Sequence, residues 1–359
     1  MVPFIDFTRE CRAIQGEIDS ALKRVFDRGS FILGPEVEQF EREFAAYIGA
    51  PYAVGVASGT DALHLSLLAA GVGKGDEVII PVNTMAATAM AVVMCGATPV
   101  FCDCDDSFLI DSEQIPSLIT PKTKAIIPVH LYGRACDMDK LTALAQAHHL
   151  TLIEDCAQAA GAEWRGRKVG TFGDFGAFSF YPTKNLGAYG DGGAVVLKTE
   201  EQQKRLLSLR YYGQPDRTTV IGFGINSRLD ELQAALLSVK LPYLDAWNEK
   251  RQALAALYRK HLKDTALIVP PSEPTQAHVY HLFVVRSERR DVLRTALMEK
   301  GVQTLIHYPI SLHEQPFFKQ FAHRSFPKAE RFAKEIFSLP LFPFLEEREV
   351  EEVSRTIHG

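Results

Sequence analysis

The chain has 359 residues, of which 47% are hydrophobic and 23% are charged, and its formal net charge is -5. This composition is typical of a soluble globular protein large enough to bury a core, and it excludes collagen-like, low-complexity and disordered chains. No block of like charges occurs in the sequence. We therefore expect neither a nucleic-acid footprint nor a polybasic membrane patch.

Six cysteines are too few for a disulfide framework to stabilise a protein of this length, so we expect reduced thiols in a cytoplasmic protein. Cys102 and Cys104 lie one residue apart, and metal ligation is their alternative interpretation. No second Cys/His pair has suitable spacing, so no metal site is predicted. The N-terminal decapeptide is charged where a signal peptide needs an apolar core. Residues 85–100 are the most apolar stretch and are too short to span a membrane.

Short apolar runs alternate with helical patterns in the first part of the chain. The sequence predicts strands over residues 77–81, 98–102, 124–129, 150–154, 175–180 and 193–197, and helices over residues 59–70, 86–95, 138–148 and 200–209. Strands separated by helices are typical of βαβ units. We therefore predict an α/β fold with a mostly parallel central sheet and helices on both faces. In such sheets, ligands bind beyond the carboxyl ends of the strands.

The pattern changes after Gly224. The sequence there predicts helices over residues 228–241, 247–262, 291–300, 330–337 and 347–357, and a strand over residues 278–286. The Pro270-Pro271 pair is a plausible joint. We predict a large domain of residues 1–240 and a smaller C-terminal α+β domain of residues 241–359.

Three polar segments follow apolar runs. Lys184 comes just after a predicted strand, among glycines, where a lysine can lose its proton and form a Schiff base. Asp155 ends another strand, where a carboxylate would keep a pyridinium ring charged, although a helix-capping Asp is the alternative. Ser58 and Thr60, with Gly59 between them, begin a helix whose N–H groups can hold a phosphate, although they are also common caps. Together, the three segments suit pyridoxal phosphate (PLP).

The motifs GTDAL, PVNTMAAT, IEDCAQAAGA, SFYPTKNLGAYGDGG and NSRLDELQAALL occur in this order. In these motifs the sequence resembles the DegT/DnrJ-type nucleotide-sugar aminotransferases, which have the aspartate-aminotransferase fold (PLP fold type I). The resemblance implies that Lys184 forms the internal aldimine, that Asp155 pairs with the pyridine nitrogen and that Gln158 lies near the ring hydroxyl. It assigns the phosphate to Gly59, Thr60 and Ser179.

The same resemblance implies a homodimer, because Asn226 is expected to reach the phosphate of the neighbouring subunit's cofactor. Met85 stands where the family usually has an aromatic residue stacked on the ring, and its thioether can cover a ring face or simply pack. Arg228 is a candidate anion contact, or else an ion-pair partner of Asp230 or Glu231. The other candidate substrate contacts are Tyr181, His307, Tyr308 and His313.

The implied reaction moves an amino group from an amino acid, glutamate by family expectation, to a nucleotide-linked keto-6-deoxyhexose. The segments HVYHLFVVR and IHYPI favour a dTDP-3-keto sugar over a 4-keto sugar. A sugar dehydratase on the same fold is an alternative, but such relatives usually have another residue in place of Lys184. A PLP-dependent lyase or desulfurase and a regulatory protein without turnover are the remaining alternatives. The intact Lys184, Asp155 and Ser58-Gly59-Thr60 argue against loss of turnover.

Overall fold

The computed structural model describes residues 1–216, 218–271 and 277–358. The strands of these residues are β1 (Tyr52–Val56), β2 (Glu77–Pro81), β3 (Thr98–Cys102), β4 (Thr123–Ile126), β5 (Thr151–Asp155), β6 (Glu163–Trp164), β7 (Arg167–Lys168), β8 (Phe175–Ser179), β9 (Gly193–Leu197), β10 (Phe283–Arg286) and β11 (Ile336–Leu339). Seven of them form the central sheet in the order β1-β9-β8-β5-β4-β2-β3. Strand β9 is antiparallel to both of its neighbours, and the other six strands run parallel to one another.

The helices of the described residues are α1 (Phe7–Ala13), α2 (Gln15–Arg28), α3 (Pro35–Ile48), α4 (Gly59–Ala69), α5 (Ala86–Met94), α6 (Met138–Ala147), α7 (Glu200–Leu209), α8 (Glu231–Lys240), α9 (Leu244–His261), α10 (Arg290–Glu299), α11 (Pro327–Glu335) and α12 (Glu347–His358). Helices α1 to α3 were not predicted from the sequence. Two of the usual terminal signals are nevertheless present in α3, which has Pro35 in its first turn and Gly49 in the left-handed conformation after its end.

The central sheet is covered on both faces, as predicted. Along β9, Val195 belongs to one buried apolar cluster and Val196 to another, because successive side chains of a strand point to opposite faces. One cluster includes residues of α4 and α5, and the other includes residues of α3 and α8. Each fully buried Leu or Phe in these clusters contributes about 1.5–3 kcal/mol through burial of apolar surface. The α/β fold class predicted from the sequence is therefore confirmed.

The C-terminal part has an apolar cluster of its own between α9, α10, α12 and the antiparallel pair β10–β11. The N-terminus joins it, since Val2 is buried in this cluster and its amide donates to the carbonyl oxygen of Gly301 at 2.9 Å. The division of the chain into domains of residues 1–240 and 241–359 stays a prediction.

Five predicted elements differ from the observed bounds by more than one residue. The strand predicted over 124–129 ends at Ile126, and the helix predicted over 247–262 begins at Leu244.

The other three are also wrong in their bounds. The strand predicted over 278–286 is a strand only from Phe283, because Tyr280 has a positive φ of 45° that breaks the extended backbone. The helix predicted over 330–337 ends at Glu335, and Ile336 begins β11 by pairing with Arg286. The helix predicted from residue 228 begins only at Glu231.

Candidate active site

The carboxyl ends of three strands meet at one edge of the sheet. Val56 ends β1, Asp155 ends β5 and Ser179 ends β8. Gly193 begins the antiparallel strand β9 and lies opposite both Val56 and Ser179. The loop between β8 and β9 carries Lys184. The sheet topology therefore brings together segments that are more than a hundred residues apart in the chain.

The turn before α4 packs tightly against this edge. A Cβ atom at Gly59 would lie 2.6 Å from the Cβ of Ser179, and one at Gly193 would lie 2.5 Å from the carbonyl oxygen of Ser58. Both positions therefore require glycine. The Ser58 hydroxyl caps α4 by accepting from the amide of Asp61 at 3.1 Å, and its own hydrogen stays free to donate. The amides that begin α4 form the kind of cradle that binds a phosphate.

Asp155 is 4% exposed. Its Oδ1 accepts from the amide of Ala157 at 3.1 Å, and its Oδ2 accepts from the Thr88 hydroxyl at 2.9 Å. Burial raises the pKa of Asp155, while these two hydrogen bonds and the nearby charge of Lys184 act in the opposite direction. Two donors leave lone pairs on both carboxylate oxygens, so the group can accept one further hydrogen bond.

Lys184 is partly buried, and its backbone amide donates to the carbonyl oxygen of Tyr181 at 2.8 Å. The protein packed around its amine lowers the pKa of Lys184 to about 8, and the negative charge of Asp155 opposes this shift. An amine with such a pKa is partly unprotonated near neutral pH and is a competent nucleophile and base. The loop that presents it is closed at its base, where the amide of Ala188 donates to the carbonyl oxygen of Phe180 at 2.7 Å.

Gln158 is held from two sides. Its Oε1 accepts from the amide of Tyr132 at 2.6 Å, and its Nε2 donates to the hydroxyl of Tyr308 at 3.2 Å. The Tyr132 hydroxyl in turn donates to the carbonyl oxygen of His307. Burial raises the pKa of Tyr308 to about 12, whereas burial and the charge of Lys184 lower the pKa of His307 to about 4. Both side chains are therefore neutral near neutral pH.

A cavity of about 700 Å³ adjoins this group of residues. Thr183, His281, His307, Phe4 and Arg294 are among its lining residues. Its volume is within the range of pockets that bind small molecules. Neither Lys184 nor Asp155 lines it, so it lies beside the Lys184 loop and does not include the two charged groups.

The remaining candidate residues are distributed as follows. Met85 and Tyr181 are 48% and 51% exposed, respectively. Asn226 is exposed in an extended segment that pairs with Tyr211. Arg228 lies over the ring of Tyr211, with 5.6 Å from its guanidinium carbon to the ring centroid.

Two side chains have partners that the sequence did not indicate. Glu231 accepts from the amides of Gly34 and Val37, both at 2.9 Å, and from that of Glu36 at 3.1 Å. The imidazole Nε2 of His313 is 3.1 Å from Oε1 of Glu330 on α11. The contacts that the structure gives His313 are thus with α11 and its surroundings, and not with the group around Lys184.

Thr88 and Tyr132 contact the site but were not identified from the sequence. Thr88 lies within the PVNTMAAT motif, but a threonine in the first turn of a helix has no pattern that marks a contact with Asp155. Tyr132 has a positive φ of 60°, which is rare for a residue with a side chain, and only the folded backbone shows it. In both cases the contact depends on the packing of elements distant in the chain.

His130, Glu154 and Cys156 form a buried cluster whose ligand-type atoms lie within 4.8 Å of one another. Glu154 accepts from the amides of Gly170 and Phe172, both at 2.7 Å, and its Oε2 is 3.1 Å from Nε2 of His130. These hydrogen bonds satisfy the carboxylate, so the cluster is explained as support for the loop after β7.

Comparison with known proteins agrees with this geometry. Residues 12–358 match the DegT/DnrJ/EryC1/StrS aminotransferase family. The chain is 48% identical to the dTDP-3-amino-3,4,6-trideoxy-alpha-D-glucose transaminase of Streptomyces venezuelae, over 96% of this chain and 92% of that protein. It is 46% identical to the dTDP-3-amino-3,6-dideoxy-alpha-D-galactopyranose transaminase of Aneurinibacillus thermoaerophilus, over 100% and 99% of the two chains.

The crystal structure of S. venezuelae DesV in complex with a ketimine intermediate superposes with a TM-score of 0.96 at 46% identity, over 99% of this chain and 97% of that one. The predicted PLP fold type I is therefore confirmed. Aminotransferases of this family depend on PLP. From its sequence and its fold, the chain belongs to the DegT/DnrJ/EryC1/StrS aminotransferase family and is an aminotransferase.

Proposed function

We propose that the protein moves an amino group from glutamate to a dTDP-linked 3-keto-6-deoxyhexose, with PLP as cofactor. The observation that carries this proposal is the electrostatic interaction of Lys184, whose pKa is lowered to about 8, with the buried carboxylate of Asp155. The start of α4, where Gly59 packs against Ser179, lies at the same edge of the sheet. The substrate follows from the two relatives named above, both of which are transaminases of dTDP-3-amino deoxysugars.

The described residues fit PLP at each of its functional groups. We assign its phosphate to the start of α4, with Ser58, Gly59, Thr60 and Ser179, and its ring nitrogen to the free lone pairs of Asp155. Gln158 would lie near the ring hydroxyl, and Lys184 would bear the aldehyde carbon. Met85 is the candidate for covering one ring face, which its exposed thioether suits.

When bound, PLP supplies an aldehyde that accepts amino groups and a ring that takes up negative charge from the reacting carbon. Asp155 holds a proton on the ring nitrogen, because a buried carboxylate favours a cation beside it. Lys184 Nζ takes the proton from the α-carbon of the amino donor and, in the second half-reaction, gives a proton back to the carbon that becomes aminated. Because its pKa is near 8, the amine can both accept and release this proton at moderate pH. Two substrates that use one site in turn predict ping-pong kinetics.

We assign the sugar nucleotide to the side of the site that carries Tyr181, His307 and Tyr308, with His313 farther away. The low pKa of His307 makes its imidazole neutral, so it suits a hydrogen bond to a sugar hydroxyl better than an ion pair with a phosphate. Arg228 carries a planar guanidinium with several N–H donors and is the better candidate for contact with an anionic group.

The protein is proposed to act as a homodimer. Val220, Ile221 and Phe223 are between 63% and 70% exposed, and they precede Asn226 by only a few residues. Exposed apolar side chains clustered in this way mark an interaction surface. A second copy of the chain on this surface would bring Asn226 toward the neighbouring phosphate site, as the resemblance implies.

The proposed location is the cytoplasm. All six cysteines are free thiols, as expected in a reducing compartment. Among the residues that the structure describes, none of the helices combines the length and apolar character that a membrane crossing requires.

The experiment is a pair of half-reactions with purified protein. Incubation with PLP and glutamate is expected to release 2-oxoglutarate, and addition of keto sugars linked to dTDP or UDP, with the keto group at C3 or C4, is expected to give an amino sugar detectable by mass spectrometry. The 3-keto dTDP sugar should react fastest. Lys184→Ala should lose both half-reactions and the visible absorbance of lysine-bound cofactor. Turnover by this variant, or loss of a hydroxyl without amine transfer by the wild type, would contradict the proposal.

A further inference from the structure

The Asp155 carboxylate at the end of β5 accepts a hydrogen bond from a hydroxyl of helix α5. We propose that Thr88 is a positioning residue for aminotransfer, which orients Asp155 toward the cofactor ring nitrogen, and that Thr84 in turn orients Thr88. The proposal rests on the proposed function, because it assumes that Asp155 serves that nitrogen.

The geometry is a chain of two hydroxyls and one carboxylate. Thr88 Oγ1 lies 2.9 Å from Asp155 Oδ2, and Thr84 Oγ1 lies 3.2 Å from Thr88 Oγ1. Thr84 and Thr88 are 3% and 1% exposed, respectively. Because both residues are buried, their hydroxyls need hydrogen-bond partners within the protein, and the three side chains provide these for one another.

The direction of these hydrogen bonds follows from the charge of Asp155. An ionised carboxylate only accepts, so Thr88 must donate its proton to Oδ2. Its oxygen then accepts from Thr84, and the two bonds polarise each other in a poorly solvated site. The Ala157 amide holds the other oxygen at 3.1 Å, so the carboxylate is fixed at both of its oxygens.

The position of Thr88 in α5 leaves its hydroxyl available for this role. A helical threonine usually bonds the carbonyl oxygen four residues earlier. That residue is Thr84, which precedes the helix, since α5 begins at Ala86. The Thr88 hydroxyl therefore reaches across to β5 and bonds a residue 67 positions away in the chain.

Other groups also act on Asp155 from neighbouring elements. Lys184 and His130 favour its charged form. Three further titratable groups interact with it electrostatically, namely Tyr308, Cys136 and Cys156. None of these supplies a hydrogen bond to Oδ2 in the described part of the chain. Loss of the Thr88 hydroxyl therefore removes the donor of that oxygen and raises the pKa of the carboxyl further.

The test compares Thr88→Val with Thr88→Ser, because valine matches threonine in shape while serine keeps the hydroxyl. We expect T88V to lower kcat of the glutamate half-reaction about tenfold, the size of effect that follows from loss of a hydrogen bond to a charged group. We also expect a weaker affinity for PLP and a shifted pH titration of the visible absorbance of bound cofactor. T88S should restore all three within about twofold, and KM for glutamate should change little in either variant. Thr84→Val should show the same changes at smaller size.

A wild-type kcat and pH titration in T88V, or an equal loss in T88S, would overturn the proposal. A second measurement distinguishes an effect through Asp155 from a general effect on folding. If Thr88 acts through Asp155, T88V added to Asp155→Asn should cause no further loss of kcat, whereas additive losses would show an independent structural effect. Thr88→Ala, which is smaller and creates no clash, replaces T88V if the valine variant does not fold. Failure of the wild type to react with glutamate would instead contradict the proposed function, so the two failures are distinguishable.

Discussion

Ser227 and Asp61 are hydrogen-bonded at 2.7 Å, although they are 166 residues apart in the chain. The same Ser227 hydroxyl accepts from the amide of Ala57 at 3.0 Å. The extended segment that carries Asn226 and Arg228 is therefore tied to the start of α4 within one protomer. If that segment also reaches the neighbouring subunit, the phosphate sites of the two protomers are mechanically connected.

Ser227→Ala should weaken binding of PLP. Ser227 is fully buried, so its loss leaves the amide of Ala57 and the carboxylate of Asp61 without this partner. An unsatisfied buried group costs about 1–3 kcal/mol, which corresponds to a rise in Kd of about fivefold to a hundredfold if the whole cost is expressed at the cofactor site. The measurement is titration of apoprotein with PLP. Ser354→Ala is the matched control, because Ser354 is also buried but bonds only within α12. Equal Kd values in the two variants would contradict the prediction.

The stability of the apoprotein should rise with pH above about 8 because of Lys184. The folded-state pKa of this lysine is lowered from 10.5 to about 8, so between these values the unfolded chain binds more protons than the folded one. The free energy of unfolding therefore increases with pH through this window, by at most about 3 kcal/mol from this group. Below the window both states are protonated, and above it both are neutral.

Urea unfolding of apoprotein across this pH range measures the effect. Lys184→Met is the reference, because it removes the titrating amine and keeps the side-chain volume. The stability of the wild type relative to that of the methionine variant should increase as pH rises. Parallel pH profiles for the two proteins would show that the amine is not sufficiently buried to matter.

Glu231→Gln should destabilise the fold without a direct effect on chemistry. The Glu231 carboxylate is fully buried and accepts from three amides at the start of α3, where a negative charge also interacts favourably with the helix dipole. Loss of the charge should cost about 1–3 kcal/mol in urea unfolding. Glu200→Gln on the exposed start of α7 is the control and should change stability much less than Glu231→Gln does. If Glu231→Gln leaves the free energy of unfolding unchanged, this view of the contact between α3 and α8 is wrong.

A mixture of inactive variants tests whether the active site is shared between subunits. Lys184→Ala and Asn226→Ala should each be inactive as homodimers. After the subunits are mixed and exchanged, heterodimers should contain one intact site and restore roughly a quarter of wild-type activity, if subunits pair randomly. Lys184→Ala mixed with Asp155→Ala is the control, and it should stay inactive because both residues belong to the same protomer's site. Recovery in the control, or none in the first mixture, would exclude the shared site.

Local patterns predicted much of the scaffold correctly. The strands over 77–81, 98–102 and 193–197 have the predicted bounds, because continuous apolar runs between turn residues suit a sheet buried on both faces. Prediction failed near Tyr280 and Ile336, where apolar side chains fit either conformation. There, a positive φ and pairing with a distant strand decide the backbone. The strand-end position of Asp155 was also predictable, since it depends on where an apolar run stops.

The sequence by itself determined the family, most of the strand and helix order between residues 59 and 209, which aspartate ends a strand and which lysine follows one, because each depends on residues close together in the chain. Only the tertiary structure decided what surrounds those residues. Three features of the site depend on segments that are far apart in sequence. They are the burial that lowers the pKa of Lys184, the hydrogen bond from Thr88 to Asp155 and the hydrogen bond from Ser227 to Asp61. Burial and hydrogen bonding act through space, so no local pattern of residues contains them.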